Sequence, residues 1–231
     1  MIRLPDQRVW SRVGRELDQR GFSVIPGLIG PEEYGDLAAG YDRDQFRSTV
    51  VMARHGFGSG EYKYYRYPLP SPIGELRQSL YERLVPIAND WQEQLGSQIR
   101  YPARLPEFIE QCHSAGQLRP TPLILSYGPG DYNCLHQDVY GESLFPIQVA
   151  VLLSSTTQFS GGEFILTEQR PRRQSRAQVV PLEQGDAVVF PVRERPVRGT
   201  RGFYRVQHRH GVSELRSGQR RTLGIIFHDA A

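Results

Sequence analysis

Between Pro122 and His228 the chain is built from short apolar runs separated by turn clusters, and this pattern restricts its architecture more than any other feature. The runs are LILSY, PIQVAVLLS, EFIL, AQVVPL, DAVVF, FYRVQHRH and RTLGIIFH, punctuated by Gly-Pro-Gly, Ser-Gly-Gly, Gln-Gly-Asp and Arg-Ser-Gly. Short strands at regular spacing with turn signals between them predict a sandwich or barrel. About eight such strands fit a double-sheet jelly roll. The segment EQRPRRQSR at 168–176 is too polar for a core strand and is expected to be an exposed loop.

The first part of the chain has a different period. Val9, Val13 and Leu17 recur at spacing four, the stripe of an amphipathic helix, and Gly21 is its stop signal. Phe22 to Ile25 reads as a short strand. Gly30-Pro31-Glu32-Glu33 opens a second helix, with Pro in its first turn and acids at the positive end of its dipole. Ser71-Pro72 starts a long helix through about Leu95, and residues 105–115 form a shorter one. The expected fold class is α+β. One domain spans 1–231, with a helical and mixed support region at 1–119 and a jelly-roll core at 120–231.

With 39% hydrophobic and 23% charged residues, the chain is composed like a folded globular protein. No apolar run reaches the roughly 18 residues of a membrane span, and the first twenty residues hold none of secretory length. Cys112 and Cys134 are the only cysteines, too few for a disulfide framework, so a reducing cytoplasmic location is expected. A monomer is expected as well. The net charge is +3, yet residues 168–231 hold 13 Arg against 6 acids, and the remainder carries −4. That asymmetry fits either a polyanionic partner or a solvated basic face.

Leu135-His136-Gln137-Asp138 follows a turn. In a strand, residues i and i+2 face the same way, so His136 and Asp138 set an imidazole beside a carboxylate. A second imidazole from a distant strand completes a facial set of two His and one carboxylate, which leaves metal positions open for O2 and a co-substrate. His210 is the candidate: it ends an apolar strand, and Arg220 and Thr222 follow on the next. Arg pairs two-pronged with carboxylates, and Thr adds a hydroxyl on the same face. His208 would share the His210 face, but only His210 stands ten residues before Arg220 in a Gly-x-Arg. His55, His113 and His228 have no partners in sequence and are expected to be structural or exposed.

These residues fall in a wider order of motifs. Tyr127-Gly-Pro-Gly130 leads to His136-Gln-Asp138; Gly161-Gly162-Glu163-Phe164 and Gly185-Asp186-Ala187-Val188-Val189-Phe190 follow; His210-Gly-Val212 and Gly218-Gln-Arg220 close it. The order resembles the iron/2-oxoglutarate dioxygenase superfamily, near its prolyl-hydroxylase-like branch. The resemblance covers 120–231 well and the opening Gly21-Phe-Ser-Val-Ile-Pro26 loosely. It implies a double-stranded β-helix, cupin-like core. It implies Fe(II) on His136, Asp138 and His210, and 2-oxoglutarate with its distal carboxylate on Arg220 and Thr222. Tyr127 would assist, or be a core tyrosine. O2 would be consumed, succinate and CO2 released, and a substrate C–H bond hydroxylated. Because Asp138 is intact, hydroxylation is expected rather than halogenation.

The substrate is less constrained. His55-Gly-Phe-Gly-Ser-Gly-Glu leads into Tyr62, Lys63, Tyr64, Tyr65 and Arg66, a segment that would suit stacking on bases and contact with phosphate if it were an exposed loop. The other reading is an alternating strand. Arg172 and Arg173 belong to a run of arginines that would serve the same partner. The pattern also resembles a bacterial group proposed to act on nucleic acids, which implies oxidation or demethylation of a modified base, as in DNA repair. The second Arg of the Arg-x5-Arg ending of alkylation-repair enzymes is missing: counting from Arg220 the position holds Ile226. A protein, prolyl-type hydroxylase is the alternative, and a non-catalytic jelly-roll binding module a third.

Overall fold

The computed structural model describes residues 5–231. The chain opens with helix α1 (Gln7–Arg20). The Asp6 carboxylate accepts from the amides of Arg8 and Val9, satisfying two of the free N–H groups at its start. Gly21 ends it in the left-handed region at φ 82°. Strand β1 (Ser23–Ile25) and helix α2 (Pro31–Ala39) follow, then β2 (Phe46–Val51), β3 (Gly58–Ser59) and β4 (Glu61–Tyr65). Helices α3 (Ser71–Gln94) and α4 (Leu105–Ser114) precede the β-rich part. That part comprises β5 (Leu123–Tyr127), β6 (Tyr132–His136), β7 (Ile147–Leu152), β8 (Phe159–Gly161), β9 (Phe164–Gln169) and β10 (Arg176–Val180). It ends with β11 (Ala187–Pro191), β12 (Glu194–Gly199), β13 (Gly202–Val212), β14 (Leu215–Gly218) and β15 (Arg220–Ile225).

Besides a small two-stranded sheet, β14-β8, the strands form two large antiparallel sheets that face each other. The larger runs β1-β11-β7-β15-β5-β4-β2, and the smaller runs β10-β9-β13-β6-β3, with β12 also paired to β13. The support region is therefore more than a helical layer, since β1, β2 and β4 extend the larger sheet and β3 the smaller one. The expected loop at 168–176 begins two residues later, because Glu168 and Gln169 are still paired, to Arg176 and to the Gln207 end of β13.

Two cores share the larger sheet. On its outer face, Trp10, Val13 and Leu17 of α1 and Leu80, Leu84 and Trp91 of α3 pack on Val149, Val151, Leu223 and Ile225. On its inner face, Ala150, Val188 and Phe190 meet Phe164 and Leu166 of the smaller sheet. With both faces covered, β7 is buried at every position and apolar throughout except at Gln148, rather than alternating. Truncating any of the Leu, Ile, Phe or Trp side chains among these to Ala should cost roughly 2–5 kcal/mol. Buried Arg77 ties α3 to the end of β15: it donates to the Ile226 and Phe227 carbonyls and ion-pairs Asp229 at 2.8 Å. No helix among the described residues is long and apolar enough to cross a membrane.

Candidate metal centre and co-substrate pocket

His136 and His210 come together because β6 and β13 pair with these two residues directly opposite each other. Their rings lie 4.2 Å apart, and Asp138 joins them from two residues beyond His136. Asp138 Oδ1 is 3.6 Å from His136 Nε2, and Oδ2 is 3.3 Å from His210 Nε2. One donor atom from each of the three lies within 4.8 Å of the others. Burial alone would raise the Asp138 pKa. The hydrogen bond from His210, the two histidine charges and a bond from Tyr140 reverse that and hold the carboxyl well below the usual range. His136 Nδ1 donates to the Cys134 carbonyl at 2.7 Å, which leaves Nε2 with its lone pair facing the cluster. Two imidazoles and an ionised carboxylate on one face, one of them with its tautomer fixed, fit Fe(II) or a similar first-row divalent ion.

Sequence reasoning missed two supports of this cluster. Tyr140 donates to Asp138 Oδ1 at 2.6 Å and accepts from the Tyr64 hydroxyl at 3.2 Å. His228, expected to be structural, accepts at Nδ1 from the Phe145 amide, so its Nε2 donates to the Asp138 carbonyl at 3.2 Å. Burial holds the His228 pKa down to about 4, consistent with a neutral ring in those roles. The only local signal for Tyr140 was a tyrosine two residues past the carboxylate. His208 does not join the cluster: Arg195 Nε donates to it at 3.1 Å, and Arg195 in turn pairs with Glu168.

A cavity of about 310 Å³ runs between the sheets and is lined by all three metal-ligand candidates together with Tyr127, Arg220 and Thr222. Arg220 is only 2% exposed. Its one hydrogen bond goes to the Thr222 hydroxyl at 2.7 Å, and no carboxylate lies within ion-pairing distance of it among the described residues. The Tyr127 ring stands 5.8 Å from the guanidinium, and burial pushes its phenol up to about 12. Tyr127 thus faces the cavity beside Arg220. Gly162 of the Gly-Gly turn leaves room for that arginine: it sits at φ 65°, where a Cβ would come within 2.8 Å of Leu215 Cδ1 and 2.9 Å of Arg220 Cδ. A buried guanidinium fork with no carboxylate in ion-pairing range has the chemistry to take a carboxylate brought by a ligand.

Of the two readings of the Tyr62–Arg66 segment, the structure shows the alternating strand and corrects the exposed loop. Tyr62 to Tyr65 lie in β4, held between β2 and β5, and not in an exposed loop. Alternation sends Tyr62 and Tyr64 inward and Lys63 and Tyr65 outward beneath the helices. Of the segment, Tyr62 lines the cavity, Tyr64 is buried against Tyr140, and Tyr65 is in the outer core. Lys63 donates to the Tyr41 carbonyl at 3.0 Å with its ammonium 4.0 Å from that ring. Arg66 is exposed and paired to Asp44. Arg172 and Arg173 are exposed in the β9–β10 turn and do not line the cavity.

A two-sheet barrel that closes around two histidines, a carboxylate and a buried arginine has the site architecture of an oxygenase. The fold is shared with solved structures. A Pseudomonas putida prolyl-4-hydroxylase aligns with a TM-score of 0.57 at 14% identity, covering 96% of this chain and 100% of that one. An oxidoreductase of the 2OG-Fe(II) oxygenase family from Burkholderia pseudomallei aligns with a TM-score of 0.57 at 16% identity, covering 99% and 95%. A prolyl hydroxylase from Trichoplax adhaerens, in complex with a hypoxia inducible factor peptide, aligns at 0.59 and 15%, covering 96% and 90%. Residues 60–230 match the Oxygenase-NA family, described as oxygenases catalysing oxidative methylation of damaged DNA, and the chain belongs to this family. Two uncharacterised proteins of Mycobacterium tuberculosis are each 50% identical to it over 165 residues, 71% of this chain and 71% of theirs.

Proposed function

We propose that the protein is an Fe(II)- and 2-oxoglutarate-dependent dioxygenase that hydroxylates, or oxidatively demethylates, a modified base in single-stranded or flipped-out nucleic acid. The observation that carries the reading is one cavity lined by His136, Asp138 and His210 and by a buried Arg220, in no ion pair, with Thr222. His136, Asp138 and His210 would hold the iron. Bound Fe(II) supplies O2 activation coupled to decarboxylation of 2-oxoglutarate to succinate and CO2, and so the oxidation of a substrate C–H bond. The residues of this chain do the rest. Arg220 and Thr222 bind the distal carboxylate, Tyr127 walls it, and Tyr140 and His228 hold Asp138 in place. The cavity recesses the reacting centre between the sheets and limits its contact with water. A base inside a duplex could not reach that depth, so the target must be unpaired or extruded. Family membership supports nucleic acid as the substrate.

The test is a succinate-release screen with Fe(II), 2-oxoglutarate and O2 against methylated oligonucleotides and proline-rich peptides. Stimulation by single-stranded modified oligonucleotides is expected. Stimulation by peptide alone would move the assignment to protein hydroxylation.

A further inference from the structure

One polar group in the cavity has no use in the scheme above. Gln148 lies in β7, the otherwise apolar run IQVAVL, in which every residue is buried. It is 2% exposed, lines the cavity, and its amide Nε2 has no hydrogen-bond partner. A buried amide left unmatched is destabilising, and an apolar residue of the same size would fill the position without that penalty. A ligand that completes the bond accounts for its presence.

The register says which part of the cavity the amide borders. Gln148 is directly opposite Phe190 on β11, so both face the cavity, and the Phe190 ring lies 4.8 Å from that of His210, tilted by 59°. Gln148 therefore borders the metal-ligand cluster. The dicarboxylate site is elsewhere: Thr222 is opposite Leu152, four residues along β7, a separation of roughly 13 Å at strand rise. Gln148 belongs to the part of the cavity that receives the group to be oxidised.

We infer that Gln148 is a specificity-determining residue whose amide makes a two-pronged hydrogen bond to the edge of the target base, selecting a modified adenine over a modified guanine. This rests on the nucleic-acid reading above. A carboxamide offers one donor beside one acceptor, complementary to an edge with an acceptor beside a donor. Adenine presents that pair at N7 and N6, whereas guanine presents two acceptors at N7 and O6. Rotation about the terminal side-chain bond turns either end of the amide into the cavity. The neighbouring lining is apolar, with Ala150, Phe190 and Ile226, so the bond forms away from competing water.

The test compares wild type with Gln148→Leu and Gln148→Glu in the iron- and 2-oxoglutarate-loaded enzyme. The substrates are single-stranded oligonucleotides carrying one N1-methyladenine or one N1-methylguanine. Succinate release without substrate, the 2-oxoglutarate KM and the melting temperature of the protein without co-substrate are measured alongside. Wild type should favour the methyladenine oligonucleotide. Gln148→Leu should lower kcat/KM for it about 10- to 100-fold, the discrimination that a bidentate amide–base pair supplies. Basal succinate release and the 2-oxoglutarate KM should stay unchanged, and the melting temperature should hold or rise, because an unmatched polar group has been removed. Gln148→Glu, which keeps the shape but loses both amide donors, should lose the methyladenine preference too. Unchanged kcat/KM and base preference in Gln148→Leu would overturn the inference while leaving the nucleic-acid reading intact. A raised 2-oxoglutarate KM would overturn it by assigning the amide to the co-substrate. A wild type stimulated by neither oligonucleotide but by peptide would instead overturn the nucleic-acid reading, and this inference with it.

Discussion

Replacing Arg220 with Met tests the co-substrate site most directly. The guanidinium is 2% exposed, its side chain is hydrogen-bonded to Thr222 alone, and no carboxylate stands within ion-pairing distance among the described residues, so a bound dicarboxylate would be its direct counter-charge. A hydrogen bond to a charged group contributes about 1.5–3 kcal/mol, and the fork makes two of them. Taking about 3 kcal/mol as the net loss, at 1.4 kcal/mol for each tenfold, the 2-oxoglutarate KM should rise about 100-fold. Stability should move the other way or not at all, since Met fills similar volume without a buried charge. The assay is succinate release across a 2-oxoglutarate titration, with the melting temperature followed as 2-oxoglutarate is added. Wild type should gain about 2.7 kcal/mol at a hundredfold excess over Kd, and the variant almost nothing at that concentration. Divalent-metal binding should be retained. Arg221 is the control. It points to the opposite face, donating to the Ala38 carbonyl at 2.6 Å and lying 4.8 Å from the Tyr41 ring, so Arg221→Ala should leave the KM alone. A KM for Arg220→Met within twofold of wild type, or a large effect at Arg221 instead, would refute the assigned strand face.

Three further outcomes follow from the same structure. Tyr140→Phe removes the 2.6 Å bond to Asp138 and should weaken divalent-metal affinity about 10-fold, read by titration of Mn(II) or Co(II) without turnover; an unchanged affinity would exclude a supporting role. Arg172→Ala with Arg173→Ala should flatten the salt dependence of oligonucleotide binding by up to about 2 units of log–log slope and leave basal succinate release untouched; an unaltered slope would show that this turn is only a solvated surface. Burial and then the Arg195 charge lower His208 to about 4, beneath its usual value near 6.5, so the unfolded chain takes up its proton first as pH falls. Stability from this group is intact above about pH 6.5 and declines towards pH 4, by about 3 kcal/mol in all; His208→Gln should flatten that decline in denaturant titrations, and parallel profiles would contradict it.

What the sequence determined by itself was local or near-local. Strand period and turn chemistry are set within a few residues, so the runs from LILSY to RTLGIIFH each appeared as strands, and the Val13–Leu17 stripe as α1. His136 and Asp138, and Arg220 and Thr222, were readable as pairs because i and i+2 share a face in any strand, whatever surrounds it. Which face is covered, and by what, is a property of sheet order. Only the tertiary structure could put β4 between β2 and β5, turning the Tyr62–Arg66 segment from a candidate loop into one cavity-facing tyrosine and four residues committed elsewhere. The same holds for the contacts that join distant parts of the chain. His228 reaches the backbone of Asp138 across 90 positions, and Gln148 borders the metal-ligand cluster only because β7 pairs with β11 and Phe190 of β11 packs on His210. A glutamine inside an apolar run was visible as a departure from pattern. That its amide lies unmatched against the cavity was decided by long-range pairing, which local periodicity does not encode.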